Sequence, residues 1–499
     1  MRGLLLRYFL AAAGGVLWGL CFSREPFSVA SWLALSPLIL LLSGPHPGRL
    51  GWVHGFAAWM TGLYWIVPTL PPYGGIPPAL SVVLTGVLAA YLGLFHAAFA
   101  GLGAPIWRRW PAARIAALPA LWVALEWLRT YLGGGFPWNL AGYAWVDVAG
   151  ALPLSAWLGV YGISFLVVLS GVAVAAAVQR RSWRPAMALL VPLLLLPLAG
   201  RWSVRQDAEE IREIGGLGKP VRLLQPNIPN LVEPDWAVIQ KNFQKVVDQS
   251  LEACQPGALV VWPESAAWPY LYDDPSSPLT ARLKELTDRG CTVLFNNSHP
   301  VGDSFYNSAY LLSGSGTVAR YDKRHLVPFG EYVPFKGVFG WMDKLARNAG
   351  DFRRAEQNVL LPWGGEKIGM SICYEVVFPE EVVDSVQAGA TLLMTITNDA
   401  WYGDTSAPWQ HFRAARFRAA ENRRPLLRAA ITGVSAFVAP DGSVRDQLGV
   451  YEEGIIRARV LGEEDLTPFS RAPWLVPLLS TVAAAVAVYF ARRRRRSPS

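Results

Sequence analysis

Two hydrophobic rhythms divide the chain. Through the first two hundred residues apolar positions run together, and the runs at 5–22, 29–43, 50–70, 80–106, 115–132, 151–179 and 186–200 are each read as a membrane span. An eighth run, 474–490, ends in the arginine cluster 492–496. Crossing the hydrocarbon core takes roughly 20 such residues, so the run at 29–43 is short. The first run is read as a retained anchor rather than a secretory signal, because further spans follow it and no small-residue cleavage site stands out. Beyond residue 220 short apolar runs alternate with amphipathic stretches. The pattern predicts strands at 221–228, 258–265, 291–298, 305–313, 317–323, 368–373, 391–399, 426–433 and 435–444, and helices at 236–254, 279–289, 378–390 and 408–424. Strands that alternate with helices and hairpins suit two sheets sandwiched between helices. The expected division is a membrane part at 1–205, a soluble domain at 206–470, and a last span with a basic tail at 471–499.

Composition sharpens the membrane reading. Of 499 residues 52% are hydrophobic and only 16% are charged, with 22 tryptophans; soluble domains carry about a quarter charged residues. The net charge of +8 sits in short basic clusters beside apolar runs. Next to spans such clusters set orientation rather than bind nucleic acid. With the N-terminus inside, the inner loops hold Arg49, then Arg108, Arg109 and Arg114, then Arg180, Arg181 and Arg184, then the terminal arginines. The outer loops hold little beyond Arg24, with Arg129 and Arg201 near span ends. Both termini are therefore expected on the cytoplasmic side and the large domain outside. Within the spans Glu126 and Arg129 share a helix face, as an ion pair fixing packing or as a functional pair. The Gly- and aromatic-rich loop 133–145 is expected to be an interfacial or re-entrant piece.

The candidate chemistry lies at strand ends of the soluble domain. The strand IGMSI runs into Cys373, Tyr374 and Glu375, and a helix follows, so the thiol stands at a strand-to-helix turn. Free cysteine is also a common core residue, and the spacing alone leaves both readings open. Upstream, ALVVWPES places Glu264 at a strand end, and RYDKRHLVPFGEYVPF carries Lys323 with Glu331 eight residues later. Open α/β sheets place sites at the carboxyl ends of their strands. A thiol of pKa about 8.5 is mostly protonated at neutral pH and needs a base and a nearby positive charge. Glu264 could take the proton, Lys323 could stabilise the thiolate and then an oxyanion, and Glu331 could hold the lysine. Of the remaining cysteines, Cys21 falls in an apolar span, while Cys254 and Cys291 each precede a strand, which leaves a disulfide between them undecided. No Cys/His spacing resembles a zinc site, and neither metal nor other cofactor is expected. Two loops, 266–274 and 334–347, are unusually apolar and suggest lipid contact or a lid.

WPES, YDKRHLVPFGEYVP and SICYE together resemble the Glu-Lys-Cys signature of the nitrilase superfamily. Their wording is similar to its membrane-bound branch, the apolipoprotein N-acyltransferases, as is the block 397–442. The resemblance runs from about 221 to 460 and more loosely over the membrane part. It implies a polytopic α-helical membrane domain of about eight spans plus an α/β nitrilase-like domain, an α-β-β-α sandwich. It implies Glu264, Lys323 and Cys373 as catalytic, with Glu331, Tyr374 and Glu375 supporting. Trp236 stands near the tryptophan this family uses at its acyl site, a few residues further along; Asn307, Phe339, Trp341 and Trp401 are further candidates for substrate contact, and His411 for pocket lining or a structural hydrogen bond. The activity implied moves the sn-1 acyl group of a phospholipid, through a Cys373 thioester, to the diacylglyceryl-cysteine amine of an apolipoprotein. The setting implied is the bacterial inner membrane, with a monomer as the default and no fused sugar-transferase domain. The alternatives are a tethered amidase with water as acceptor, and a transporter-like protein whose outer domain only binds lipoprotein.

Overall fold

The computed structural model describes residues 2–24, 28–184, 187, 191, 218–231, 233–314, 316–332 and 352–493. The expected span at 186–200 (all but two residues), the charged stretch 206–215, and the apolar loop 334–347 with Phe339 and Trp341 lie outside the described residues. The chain divides into two compact units. One is Met1–Pro68, Pro77–Ser203 and Ala472–Ser499; the other is Thr69–Ile76 and Val204–Arg471.

The first unit is helical. Among the described residues four helices are long and apolar enough to cross a membrane, by length and composition: Gly3–Leu20, Pro78–Arg109, Ala151–Arg180 and Leu475–Arg493. The run at 29–43 is not one helix but two short ones, Ser28–Ser31 and Ser36–Leu41, with a proline in the first turn of the second. Proline suits that position because its missing N–H would have no partner there. The run at 50–70 likewise breaks, into Pro47–Gly62 and Ile66–Gly74. Hydropathy registers apolar length and is blind to such breaks. Helix approach is close: a Cβ on Gly51 would lie 2.5 Å from the His96 carbonyl oxygen, the small-residue packing by which helices meet in lipid. Glu126 accepts from the Trp122 indole at 2.9 Å and from the Ala141 amide at 2.7 Å. Arg129 donates to the Trp138 carbonyl at 2.9 Å and covers the Trp59 ring. Both charges thus fasten the loop 133–145, whose Trp138–Val146 stretch is buried within this unit.

In the second unit two six-stranded sheets form. Strands β1 (Lys219–Gln225), β2 (Leu259–Val261), β3 (Thr292–Val301), β4 (Ser304–Ser313), β5 (Gly316–Asp322) and β12 (Gly454–Val460) make one, in the order β12-β1-β2-β3-β4-β5. Strands β6 (Leu361–Trp363), β7 (Glu366–Ile372), β8 (Leu392–Thr397), β9 (Leu426–Ala430), β10 (Ser435–Val438) and β11 (Val444–Leu448) make the other, in the order β11-β10-β9-β8-β7-β6. Side chains alternate across a strand, so each sheet has two apolar faces to cover. Leu259 and Val261 of β2 join Ile368, Met370, Ile372, Leu392, Met394 and Ile396 in one core between the sheets. Val260 points the other way, into a core with Phe243, Val246, Leu283 and Leu286. Those four belong to the helices Trp236–Ala253 and Pro278–Asp288, capped by Asp235 and Ser277. The helices Pro379–Gln387 and Ala407–Asn422 belong with the second sheet, the first following β7 and the second preceding β9. The expected sandwich of two sheets between helices is this arrangement.

Cys254 and Cys291 are joined in a disulfide, across a sequence separation of 37. Closing a loop of that length in the unfolded chain is worth about 3–4 kcal/mol. Replacing both by serine is expected to lower the apparent thermal midpoint of the detergent-solubilised protein by about 10 °C. An unchanged midpoint, in protein never exposed to reductant, would mean that the two sulfurs are thiols.

Candidate active site

The strand ends assemble the three residues singled out from sequence. Glu264 follows β2, Lys323 follows β5, and Cys373 follows β7, so each sheet supplies part of the site. Two backbone positions are bent out of the ordinary range: Ser265, beside Glu264, has φ 63° and Cys373 has φ 55°. A non-glycine residue in the left-handed region costs roughly 1–3 kcal/mol, and it persists where its surroundings fix it. The bend turns Cys373 off β7 into a single 3-10 turn, Cys373–Val377, before the longer helix starts at Pro379.

Lys323 is almost wholly buried between carboxylates. Its Nζ lies 2.9 Å from Glu331 Oε1 and 3.7 Å from Glu264 Oε1. Burial alone would lower the ammonium pKa, but Glu331 first and Glu264 next hold it above that of an ordinary lysine. Asn307 donates through Nδ2 to Glu264 Oε1 at 3.0 Å and to Glu331 Oε1 at 2.8 Å. Its own carbonyl oxygen accepts from Asn296 Nδ2 at 2.6 Å, and Asn296 also accepts from the Ser265 amide. Glu264 Oε2 accepts from the Asn398 amide at 2.9 Å, which ties the β2 end to the β8 end. Glu331 Oε2 accepts from the Val327 amide, fixing the loop after Lys323.

The thiol is buried and lies among charges of both signs. Burial first, then the Glu264 charge, push the Cys373 thiol up, against the pull of Lys323. The resting sulfur is therefore protonated, and a thiol in that state gains nucleophilic strength only by giving its proton to a base. Glu375 is 1% exposed and does not serve as a surface charge at a helix start. Oε1 accepts from the Tyr321 hydroxyl and the His325 amide, both at 3.0 Å, and Oε2 from the Ile372 amide at 2.6 Å. It joins the loop after β5 to the turn that bears Cys373. Burial first and the nearby Glu381 next push its carboxyl up to about 7, against those hydrogen bonds.

The remaining candidates separate. Tyr374 is buried, its ring against His325 and Phe378. Asn307 engages the two carboxylates rather than presenting its amide outward. Trp401 is 37% exposed, with its ring 4.7 Å from that of Tyr73. Trp236 opens its helix and is 62% exposed; no hydrogen bond or ring contact among the described residues joins it to the triad. Sequence reasoning passed over Asn296, Thr397, Asn398, Asp399 and Arg428, all buried in this region. The available signal was the run of polar residues closing two apolar strands, LFNNS and TITND.

Residues 221–463 match the family model described as carbon-nitrogen hydrolase, and residues 14–173 match the one described as apolipoprotein N-acyltransferase N-terminal domain. The apolipoprotein N-acyltransferase of Geobacter metallireducens is 35% identical, over 98% of this chain and 96% of its own. That of Ralstonia nicotianae is also 35% identical, over 97% and 93%. A solved amidase of the nitrilase superfamily from Nesterenkonia is 26% identical over 49% of this chain and 90% of its own, with a TM-score of 0.37.

Proposed function

Because the chain belongs to the apolipoprotein N-acyltransferase family, we propose that it moves a fatty acyl group from the sn-1 position of a phospholipid to the N-terminal diacylglyceryl-cysteine amine of apolipoproteins, in two half-reactions through a Cys373 thioester. The observation that carries this reading is the convergence of Glu264 and Lys323 from one sheet with Cys373 from the other. In the first half-reaction Glu264 takes the thiol proton and sulfur attacks the ester carbonyl. The Lys323 ammonium faces the oxyanion that forms, a charge fixed in place before reaction. The carbon–oxygen bond breaks, Glu264 returns its proton to the leaving oxygen, and a lysophospholipid departs. In the second, the lipoprotein amine attacks the thioester, Glu264 takes the ammonium proton, and the carbon–sulfur bond breaks to give the amide. The proton then returns to sulfur. Glu331 and Asn307 hold Lys323 and Glu264 in place, and Glu375 holds the turn. Trp401, with the exposed Trp268 and Leu271 of the loop 266–274, contacts the acyl chains, while Ala266, Ala267, Tyr270 and Tyr272 of that loop pack into the core.

In this proposal the chain has about eight spans divided as 1–205, 206–470 and 471–499. It lies in the bacterial inner membrane with both termini cytoplasmic and acts as a monomer on the periplasmic side. The positive charges of the inner loops support that orientation. So does the disulfide, since disulfides persist in oxidising compartments.

The test uses detergent-purified protein and a phospholipid with different acyl chains at sn-1 and sn-2, read by intact mass. One hydroxylamine-sensitive adduct with the sn-1 mass is expected, discharged by a diacylated lipopeptide much faster than by water. No adduct would overturn the first half-reaction. An sn-2 mass would overturn the regiochemistry, and discharge by water as fast as by amine would make the protein a hydrolase.

A further inference from the structure

We propose that Asp399 and His411 are positioning residues that hold Cys373 in its attacking geometry, gripping it from both its carbonyl and its sulfur. The inference rests on Cys373 being the nucleophile. Cys373 sits at φ 55°, so something must hold it there. His411, fully buried on the helix Ala407–Asn422, places Nε2 3.0 Å from the Cys373 carbonyl oxygen. A carbonyl only accepts, so Nε2 carries the proton. Nδ1 faces Asp399 Oδ1 at 3.0 Å and Arg428 Nη2 at 3.2 Å. Arg428 Nη2 also donates to Asp399 Oδ2 at 2.7 Å, and its Nε to the Val434 carbonyl.

The second grip is on sulfur. Thr397 Oγ1 lies 3.3 Å from Cys373 Sγ and 2.9 Å from Asp399 Oδ1. A hydroxyl has one hydrogen to give. While the sulfur is a thiol it can donate to Thr397, whose hydrogen then goes to Asp399; once the sulfur is a thiolate, Thr397 can turn its hydrogen to it. Asp399 thus reaches the sulfur of Cys373 through the Thr397 hydroxyl, and it is tied to the imidazole on the Cys373 carbonyl through Arg428, whose Nη2 serves both Asp399 Oδ2 and His411 Nδ1. Burial opposes the charge on Asp399, yet the Arg428 guanidinium beside it outweighs burial and holds the carboxyl down to about 2. For His411, burial and then Arg428 lower the pKa against the pull of Asp399. The ring is therefore neutral at pH 7, its Nδ1 accepting from Arg428. All four side chains are at most 1% exposed, so none can reach a substrate and each acts through the cysteine.

The experiment compares acyl-enzyme formation by intact mass for wild type, His411→Gln, His411→Asn and Cys373→Ala, with thermal midpoints alongside. A glutamine amide can replace the Nε2 donor at the Cys373 carbonyl, whereas an asparagine amide is too short and keeps only the Arg428 side. His411→Asn is expected to be about a hundredfold slower, with the donor KM unchanged. His411→Gln should stay within about tenfold of wild type. Equal rates for His411→Asn and wild type, or equal losses in both His411 variants, overturn the proposal. If His411→Asn does not accumulate folded, Thr397→Val decides: iodoacetamide alkylation of the thiol should shift to higher pH with loss of the hydroxyl, and an unshifted profile overturns the proposal. An adduct on Cys373→Ala instead overturns the nucleophile reading itself, which separates the two failures.

Discussion

Cys373→Ala is expected to take up no acyl group from phospholipid, and Cys373→Ser to acylate roughly 10⁴–10⁶-fold more slowly than wild type. A hydroxyl in place of the thiol meets the same burial and the same Glu264 charge that push the thiol up, and it starts from a far weaker acid. Neither substitution should disturb the fold. Alanine and serine occupy less volume than cysteine, and they meet the same backbone cost at φ 55° as cysteine does. Thermal midpoints close to wild type, together with loss of the adduct, would separate chemistry from folding. A Cys373→Ala protein that still acquired one hydroxylamine-sensitive acyl group would move the nucleophile elsewhere.

Lys323→Met should lose both activity and stability. The ammonium is 1% exposed, and Glu331 and Glu264 lie 2.9 and 3.7 Å from it. Methionine fills much of the volume but leaves two carboxylates buried without their counter-ion, at about 3–5 kcal/mol. Acyl-enzyme formation should fall by about 10³-fold as the positive charge beside the oxyanion is lost. The pH dependence follows from the same charges. In wild type the lysine is held above its ordinary value, so its contribution is complete below about pH 10 and is lost only as pH rises through the folded value. In the variant one carboxyl must take a proton to stay buried, which raises its folded pKa. Stability should then be greatest at acid pH and fall as pH rises through that value. Lys323→Met with Glu331→Gln should recover stability without activity. Recovery of both would show that the lysine acts only as a structural counter-ion.

Both substitutions address residues that were legible in the chain itself. Glu264 and Cys373 stand out because each closes an apolar strand with a polar group, a local contrast in composition, and Lys323 stands out at the start of the basic loop that follows a strand. Glu331 is legible from its spacing within one loop. The residues around them are not. Asn296 reads as the polar end of a strand until β3 pairs with β4 and brings it to Asn307. His411 lies 38 residues beyond Cys373 and meets its carbonyl oxygen only because a helix crosses the turn. Glu375 reads equally well as a charge at a helix start, and only burial against Tyr321, two loop amides and the last amide of β7 settles what it touches. In the helical unit, apolar length located the long helices Pro78–Arg109 and Ala151–Arg180, whereas Pro37 and the break after Gly62 divide runs that hydropathy joins.

The pairing of β1 with β12 has a consequence for how the protein is made. Lys219–Gln225 lies between Leu259–Val261 on one side and Gly454–Val460 on the other, so the first sheet stays open until the last of the described strands has been synthesised. Glu264, Lys323 and Cys373 all leave the ribosome before that strand does. A nascent chain therefore carries its thiol without a completed first sheet behind the base and the cation. Reactivity arrives late in synthesis, as a property of the finished polypeptide, and truncation anywhere before Gly454 should yield a protein that inserts its earlier helices but never acquires a working site.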